Sequence, residues 1–196
     1  MGKVVLSASM SLDGFMAGPD VGVEHPMGVG GERLHEWLFD ESAEGQLDAD
    51  VAREMSAAVG AVVIGRRTFD VGLEPWGDVP YPVPCFVLTH ESREDLPMTS
   101  GTFAFVDGAI PNAFELAQAA AGERDVLLMG GSVGQQFLDA GLVDEIAIQL
   151  VPVLLGAGTR LFDHLGPDPI ELERLATVES PHVTHLRFRV VERGSP

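Results

Sequence analysis

Two short stretches carry residue types suited to gripping a phosphorylated ligand. In AVVIGRRTFD, residues 61–70, an apolar run of β type ends at Gly65, and Arg66, Arg67 and Thr68 follow at once. Guanidinium groups bind phosphate bidentately, and a threonine on a first helical turn caps the helix or donates to a phosphate oxygen. In DVLLMGGSVGQQFLDAGLVDE, residues 125–145, a buried strand runs to Met129, Gly130 and Gly131 make the turn, and a helix begins near Ser132. Glycines let a bulky ligand approach the backbone, and the first helical N–H groups attract an anion, which suits a pyrophosphate. Each stretch also has a purely structural reading. The arginines would then pair with surface carboxylates, and the glycines would serve turn geometry alone.

Other motifs compete with these. The dinucleotide fingerprint G-x-G-x-x-G is absent, as is the P-loop lysine. Residues 130–134 do match G-x-S-x-G, the nucleophile elbow of serine hydrolases, with Ser132 as nucleophile and Asp163 followed by His182 or His185 in the required order. That reading leaves Arg66 and Arg67 without a role. HEWLF starts like the zinc motif H-E-x-x-H but has Phe39 at the second histidine, so no metal site is expected. His182 and His185 are three apart in an expected strand and would point to opposite faces, as ordinary surface or edge residues. Cys85, the only cysteine, lies in the apolar run PCFVLT and reads as a buried structural thiol.

The elements that would position these groups follow from hydrophobic patterning. Strands are expected at 3–9, 61–64, 85–88, 102–105, 126–129 and 145–150, and helices at 47–58, 68–73, 112–121 and 133–140. Asp48, Val51, Ala52, Met55 and Val59 set the amphipathic spacing of the 47–58 helix. Several strands are continuous apolar runs, as in a parallel sheet covered by helices on both faces. IELERLATVES and HVTHLRFRVVE read as a C-terminal antiparallel pair on one sheet edge. Residues 13–31 hold six glycines and two prolines and resist assignment, reading as a floppy excursion or a functional lid. The expected architecture is one α/β domain over residues 1–196, doubly wound, with two phosphate-suited strand tips facing the crevice at the carboxyl ends of the strands.

Composition limits the partners. Twelve Lys plus Arg stand against 30 Asp plus Glu, a formal charge of -18, which disfavours nucleic acid and anionic lipid. Neither a signal-peptide h-region nor a membrane-length apolar window is found, so a cytoplasmic setting is expected.

SMSLDGFMAG, VVIGRRTFD, CFVLTH, LLMGGSVGQQFLDAGLVDE and PVLLGAGTRLF occur in that order. Together they resemble the dihydrofolate reductase-like family, which includes the reductase domain of the bifunctional riboflavin-biosynthesis deaminase/reductase. The similarity runs from residue 3 to about residue 162. It implies a dihydrofolate reductase-like sheet binding NADPH in an extended pose. By resemblance, Gly65, Arg66, Arg67 and Thr68 hold the adenosine and phosphate half, and Leu88, Thr89 and His90 lie along the adenine ribose near the 2′-phosphate. Met129, Gly130, Gly131, Ser132 and Val133 cradle the pyrophosphate, while Ser9, Met16 and Ala17 flank the nicotinamide. His90 departs from the arginine common in relatives, which loosens the preference for NADPH over NADH.

Hydride chemistry belongs to the nicotinamide, with a carboxylic acid as the usual proton source. Asp13, Glu36 and Asp40 are the candidates, although the family's acid pattern is not recognisable, and Asp13 also suits bracing of its turn. Trp37 either stacks on a flat substrate or fills the core. The expected activity is reduction of a small heterocyclic or sugar-imine or carbonyl substrate. The resemblance offers 5-amino-6-(5-phosphoribosylamino)uracil or a pterin such as dihydrofolate. The alternatives are the Ser132 hydrolase and a nucleotide-binding protein without turnover. Relatives are often homodimers, and IAIQLVPVLLG either joins a shared surface or is buried within the chain.

Overall fold

A computed structural model describes residues 2–107 and 109–191 of the chain, and the structural statements below concern those residues. The strands are β1 (Val4–Ser11), β2 (Phe15–Ala17), β3 (Val59–Gly65), β4 (Cys85–Thr89), β5 (Leu96–Pro97), β6 (Thr102–Asp107), β7 (Asp125–Met129), β8 (Glu145–Val151), β9 (Thr159–Arg160), β10 (Leu172–Glu179) and β11 (Thr184–Val190). The helices are α1 (Gln46–Ala58), α2 (Arg66–Trp76), α3 (Ile110–Ala121) and α4 (Gly131–Asp139), preceded by a 3₁₀ segment, Gly31–Phe39.

Nine strands form one sheet in the order β10-β11-β8-β1-β7-β3-β4-β6-β5. From β8 to β6 all neighbours are parallel, while β10, β11 and β5 run antiparallel to their partners. Every strand expected from the apolar runs is present, and so is the C-terminal antiparallel pair. β3 is buried along nearly its whole length because helices cover both sides. On one face Ala113, Ala117, Val133 and Phe137 of α3 and α4 pack on Leu6, Val63 and Leu128. On the other, Phe69 of α2 packs with Val62, Ile64, Val87 and Phe103. The 3₁₀ segment seats Leu34 and Trp37 against Val151 and Val183.

The connections open the crevice. β3 leads through α2 to β4 on one side, and its neighbour β7 leads through α4 to β8 on the other, so the carboxyl ends of β3 and β7 part at a topological switch point. Helix α2 runs past the expected end at residue 73 to Trp76. There Gly77, at φ 62, closes the helix by donating its N–H to the Leu73 carbonyl.

Three expectations need correction. His185 is no edge residue: it is buried on β11, its Nε2 lies 2.8 Å from Asp48 Oδ1, and its ring meets Trp37 edge-on at 5.1 Å. His182 lies in the turn before β11, outside the strand, with its Nε2 2.8 Å from Asp40 Oδ2. The α1 face is the third: Val59 belongs to β3, and of the helical residues expected to face inward Asp48 is buried while Val51, Ala52 and Met55 are half-buried, the Ser180 hydroxyl (2.8 Å) and His185 satisfying the Asp48 carboxylate. Within IAIQLVPVLLG, the β8 part is paired on both sides by β1 and β11, and Leu154 is exposed. Cys85 is buried as expected, and burial pushes its thiol up to about 12. Among the described residues, no helix is long and apolar enough to cross a membrane.

Candidate functional site

A groove of about 710 Å³ lies over the carboxyl ends of β1, β7, β3 and β4, within the range of small-molecule and cofactor sites. The tips gather residues far apart in sequence. Gly65, Arg66, Arg67 and Thr68 come from the β3–α2 turn, and Leu88, Thr89 and His90 from the end of β4. Met129, Gly130, Gly131, Ser132 and Val133 come from the β7–α4 turn, and Ser9, Met16 and Ala17 from β1 and β2. All fifteen expected cofactor residues therefore line one cavity.

The two central turns abut. A Cβ built on Gly130 would lie 2.8 Å from Thr68 Oγ1, and one on Gly65 would lie 3.3 Å from Val133 Cγ2. Gly130 has φ 99 and ψ 137, a conformation that L side chains rarely adopt, and it turns the chain so that α4 starts at the groove. The first amides of α4 lack partners within the helix and open toward the groove, the polarity that attracts an anion.

The arginines are partly engaged. Arg66 donates from Nε to Asp70 at 2.8 Å and from Nη1 to Glu91 at 3.0 Å, so the carboxylate-pairing alternative holds for this side chain. Arg67 donates from Nη2 to the Val21 carbonyl at 3.1 Å. Both remain at the groove surface, where a phosphate would compete with exposed carboxylates.

Residues 13–31 form a compact wall. Gly18 donates to the Met27 carbonyl at 2.8 Å and Val29 to Pro19 at 2.8 Å. The φ of Gly28 is 72, and a Cβ there would strike the Gly18 carbonyl at 2.2 Å, so glycine is required for this close approach. Val21, Pro26 and Met27 of this wall line the groove.

The wall and the 3₁₀ segment place His35 in the groove, a residue that sequence reasoning passed over. Its Nδ1 is buried with no hydrogen-bond partner. Burial drives its pKa down to about 4, only partly opposed by the Gly31 carbonyl. The near-match HEWLF drew attention to this histidine only as a failed metal ligand.

The three candidate acids lie off the groove lining. Asp13 accepts from the Ser11 hydroxyl at 2.6 Å and from the Gly156 and Leu155 amides at 2.7 and 3.2 Å, which brace its turn and hold its carboxyl below the usual range. Glu36 pairs with Arg33 at 3.1 Å. Asp40 is held low first by the Ser42 amide and hydroxyl, with His182 adding to it. Trp37 is buried, and its indole N–H donates to the Leu34 carbonyl at 3.0 Å and to Ser9 Oγ at 3.2 Å, so it supports β1 from the core side. The hydrolase triad does not assemble. The Ser132 hydroxyl accepts from Gln136 at 3.2 Å, while His182 and His185 are held by Asp40 and Asp48, and Asp163 has exposed His164 as its neighbour at 3.6 Å.

No curated protein sequence matches the chain. Among solved structures, a candidate riboflavin biosynthesis protein from Shewanella sp. PV-4 is similar with TM-score 0.72 at 23% identity, covering 97% of this chain and 99% of that one. A pyrimidine reductase-like protein from Corynebacterium diphtheriae gives TM-score 0.65 at 17% identity, covering 98% of this chain and 93% of that one. A diaminohydroxyphosphoribosylaminopyrimidine deaminase/5-amino-6-(5-phosphoribosylamino)uracil reductase from Thermotoga maritima gives TM-score 0.64 at 15% identity, covering 97% of this chain and 57% of that one. These likenesses match the observed fold, a large mostly parallel sheet with an antiparallel edge pair. The RibD C-terminal domain model matches residues 2–187. The chain belongs to the RibD C-terminal domain family.

Proposed function

We propose that this chain is an NADPH-dependent reductase that delivers hydride to the C=N or C=O carbon of a small substrate. The observation that carries the reading is the abutment of two phosphate-suited turns at the β3/β7 switch point, with Gly130 against Thr68. In this reading the α4 amides and the Gly130–Gly131 turn receive the pyrophosphate, and Arg66 and Arg67 receive the phosphates of the adenosine half. Leu88, Thr89 and His90 lie along its ribose. Ser9, Met16 and Ala17 then flank the redox end, which supplies the hydride when bound.

The residues' own contribution is to bind and orient, with the 13–31 wall excluding water from one side. The carboxylates lining the groove, Asp70 and Glu91, stand at the arginine end. None of Asp13, Glu36 and Asp40 lines the groove, so none of them is placed to supply the product's proton directly. Two substrate classes are in view: a phosphoribosylamino-pyrimidine, as the Thermotoga relative's description states for that protein, and a pterin or another small carbonyl compound.

Fluorescence titration tests the reading. NADPH should bind saturably, and the double variant Arg66→Ala, Arg67→Ala should weaken it by about a hundredfold, from two lost charge-assisted contacts of roughly 1.5 kcal/mol each. Equal affinity in the variant would show that these side chains do not hold the coenzyme.

A further inference from the structure

We propose that the groove end over β1 accepts an uncharged, unphosphorylated carbonyl or imine compound; this rests on the reductase reading and names its substrate class. The sheet order sets the layout. β1, β7, β3 and β4 lie side by side in that order, so the groove crosses three inter-strand steps, about 14 Å in all. Arg66, Arg67, Asp70 and Glu91 stand over β3 and β4, whereas the far wall is Ser7, Ala8, Ser9, Met16, Met27 and His35.

Among the described residues, Arg66 and Arg67 are the only lysine or arginine side chains lining the groove. Two other arginines, outside the lining, have contacts of their own. Arg160 lies over the Phe15 ring and donates to the Asp13 carbonyl at 3.1 Å. Arg33 pairs with Glu36 beside a separate hollow.

His35 is the titratable group in the far wall, and it is neutral. No carboxylate lines that end, and its Nδ1 is buried without a partner. An imidazolium there would be desolvated with no carboxylate beside it and only the Gly31 carbonyl to favour it, in keeping with its depressed pKa of about 4. A phosphate monoester brings close to two negative charges and needs guanidinium, ammonium or open helix amides to leave water. The open amides in the groove belong to α4, at β7. The Gly31 amide that starts the 3₁₀ segment is already donated to the Gly28 carbonyl at 3.0 Å. In a chain of formal charge -18, no long-range attraction compensates. The far wall thus offers hydroxyls, thioethers and a neutral imidazole, which suit an uncharged polar heterocycle.

Matched pairs test this on the NADPH-loaded protein: 5-amino-6-(ribosylamino)uracil and its 5′-phosphate, and D-erythrose and its 4-phosphate. Binding is read from quenching of bound NADPH fluorescence, and turnover from loss of NADPH absorbance. The unphosphorylated member should be favoured by at least about tenfold. Met27→Arg, which places a cation in the far wall, should move that ratio about tenfold toward the phosphorylated member. Equal or reversed preference in the unmodified protein, or binding of neither member of either pair while NADPH is bound, overturns the proposal. Failure of NADPH itself to bind overturns the reductase reading instead.

Discussion

Gly130→Ala isolates the cradle from the rest of the groove. At φ 99 and ψ 137 the residue sits where an alanine is strained, and the added methyl would lie 2.8 Å from Thr68 Oγ1. The backbone strain costs of order 1–3 kcal/mol. The contact adds less, because the Thr68 hydroxyl is the end of a rotatable side chain. For a chain of this size, each kcal/mol lowers Tm by roughly 2–4 °C, so a fall of about 3–10 °C is expected by calorimetry. If the turn relaxes by moving the Gly131 and Ser132 amides, NADPH loses hydrogen bonds from its pyrophosphate, and Kd should rise about tenfold or more. Gly122→Ala is the control. Gly122 also has a positive φ, 63, caps α3 on the surface, lies outside the groove lining and has no atom within 4 Å of a built Cβ. It should lose stability from strain alone and keep NADPH affinity. If both variants lose stability alike while Gly130→Ala binds NADPH as tightly as the parent, the turn is not the pyrophosphate site.

Glu91→Gln should raise the preference for NADPH over NADH, because it releases Arg66 Nη1 and removes a carboxylate 3.0 Å from it. A charge at about 4 Å is worth roughly 1 kcal/mol in water, so the ratio of the two Kd values should shift by about fivefold at low salt and less at high salt; an unchanged ratio would place the 2′-phosphate elsewhere. His35, with its pKa lowered from 6.5 to about 4, makes the folded state bind fewer protons than the unfolded chain between those values. Its contribution is therefore full above pH 6.5 and is lost as pH falls toward 4, up to about 3 kcal/mol; urea titrations of His35→Gln should show a flatter decline over that window, and parallel curves would contradict the burial of a neutral ring. Asp48→Ala strips the buried partner from His185 and Ser180 and should cost roughly 3 kcal/mol of unfolding free energy; an unaltered urea midpoint would show that the cluster contributes nothing.

The parts of the fold that were legible in sequence are those whose signal is local. Continuous apolar runs such as residues 61–64 and 126–129 mark strands buried on both faces, and a glycine following each marks the turn into a helix. That is why the pairing of the β3 and β7 tips is legible in the sequence. The parts that were not legible depend on contacts between distant segments. Asp48 and His185 are 137 residues apart, so although the helical spacing put Asp48 on the inward face of α1, nothing local named the histidine that pairs with its carboxylate. The Trp37 indole bonds Ser9 and Leu34 because the 3₁₀ segment lies on β1, a placement that periodicity does not encode. β5 and β9 have two residues each and exist only through their partners. His35 escaped notice for the same reason, since its neutrality comes from burial in the folded groove rather than from its neighbours in sequence.

A crystal structure of the protein soaked with NADPH is the most direct measurement of the groove assignment. Density should run from the Arg66 and His90 tips across the Gly130–Gly131 turn, ending with the nicotinamide ring beside Ser9 and Met16. Coenzyme density elsewhere, or a groove left without it at saturating NADPH, would contradict the account.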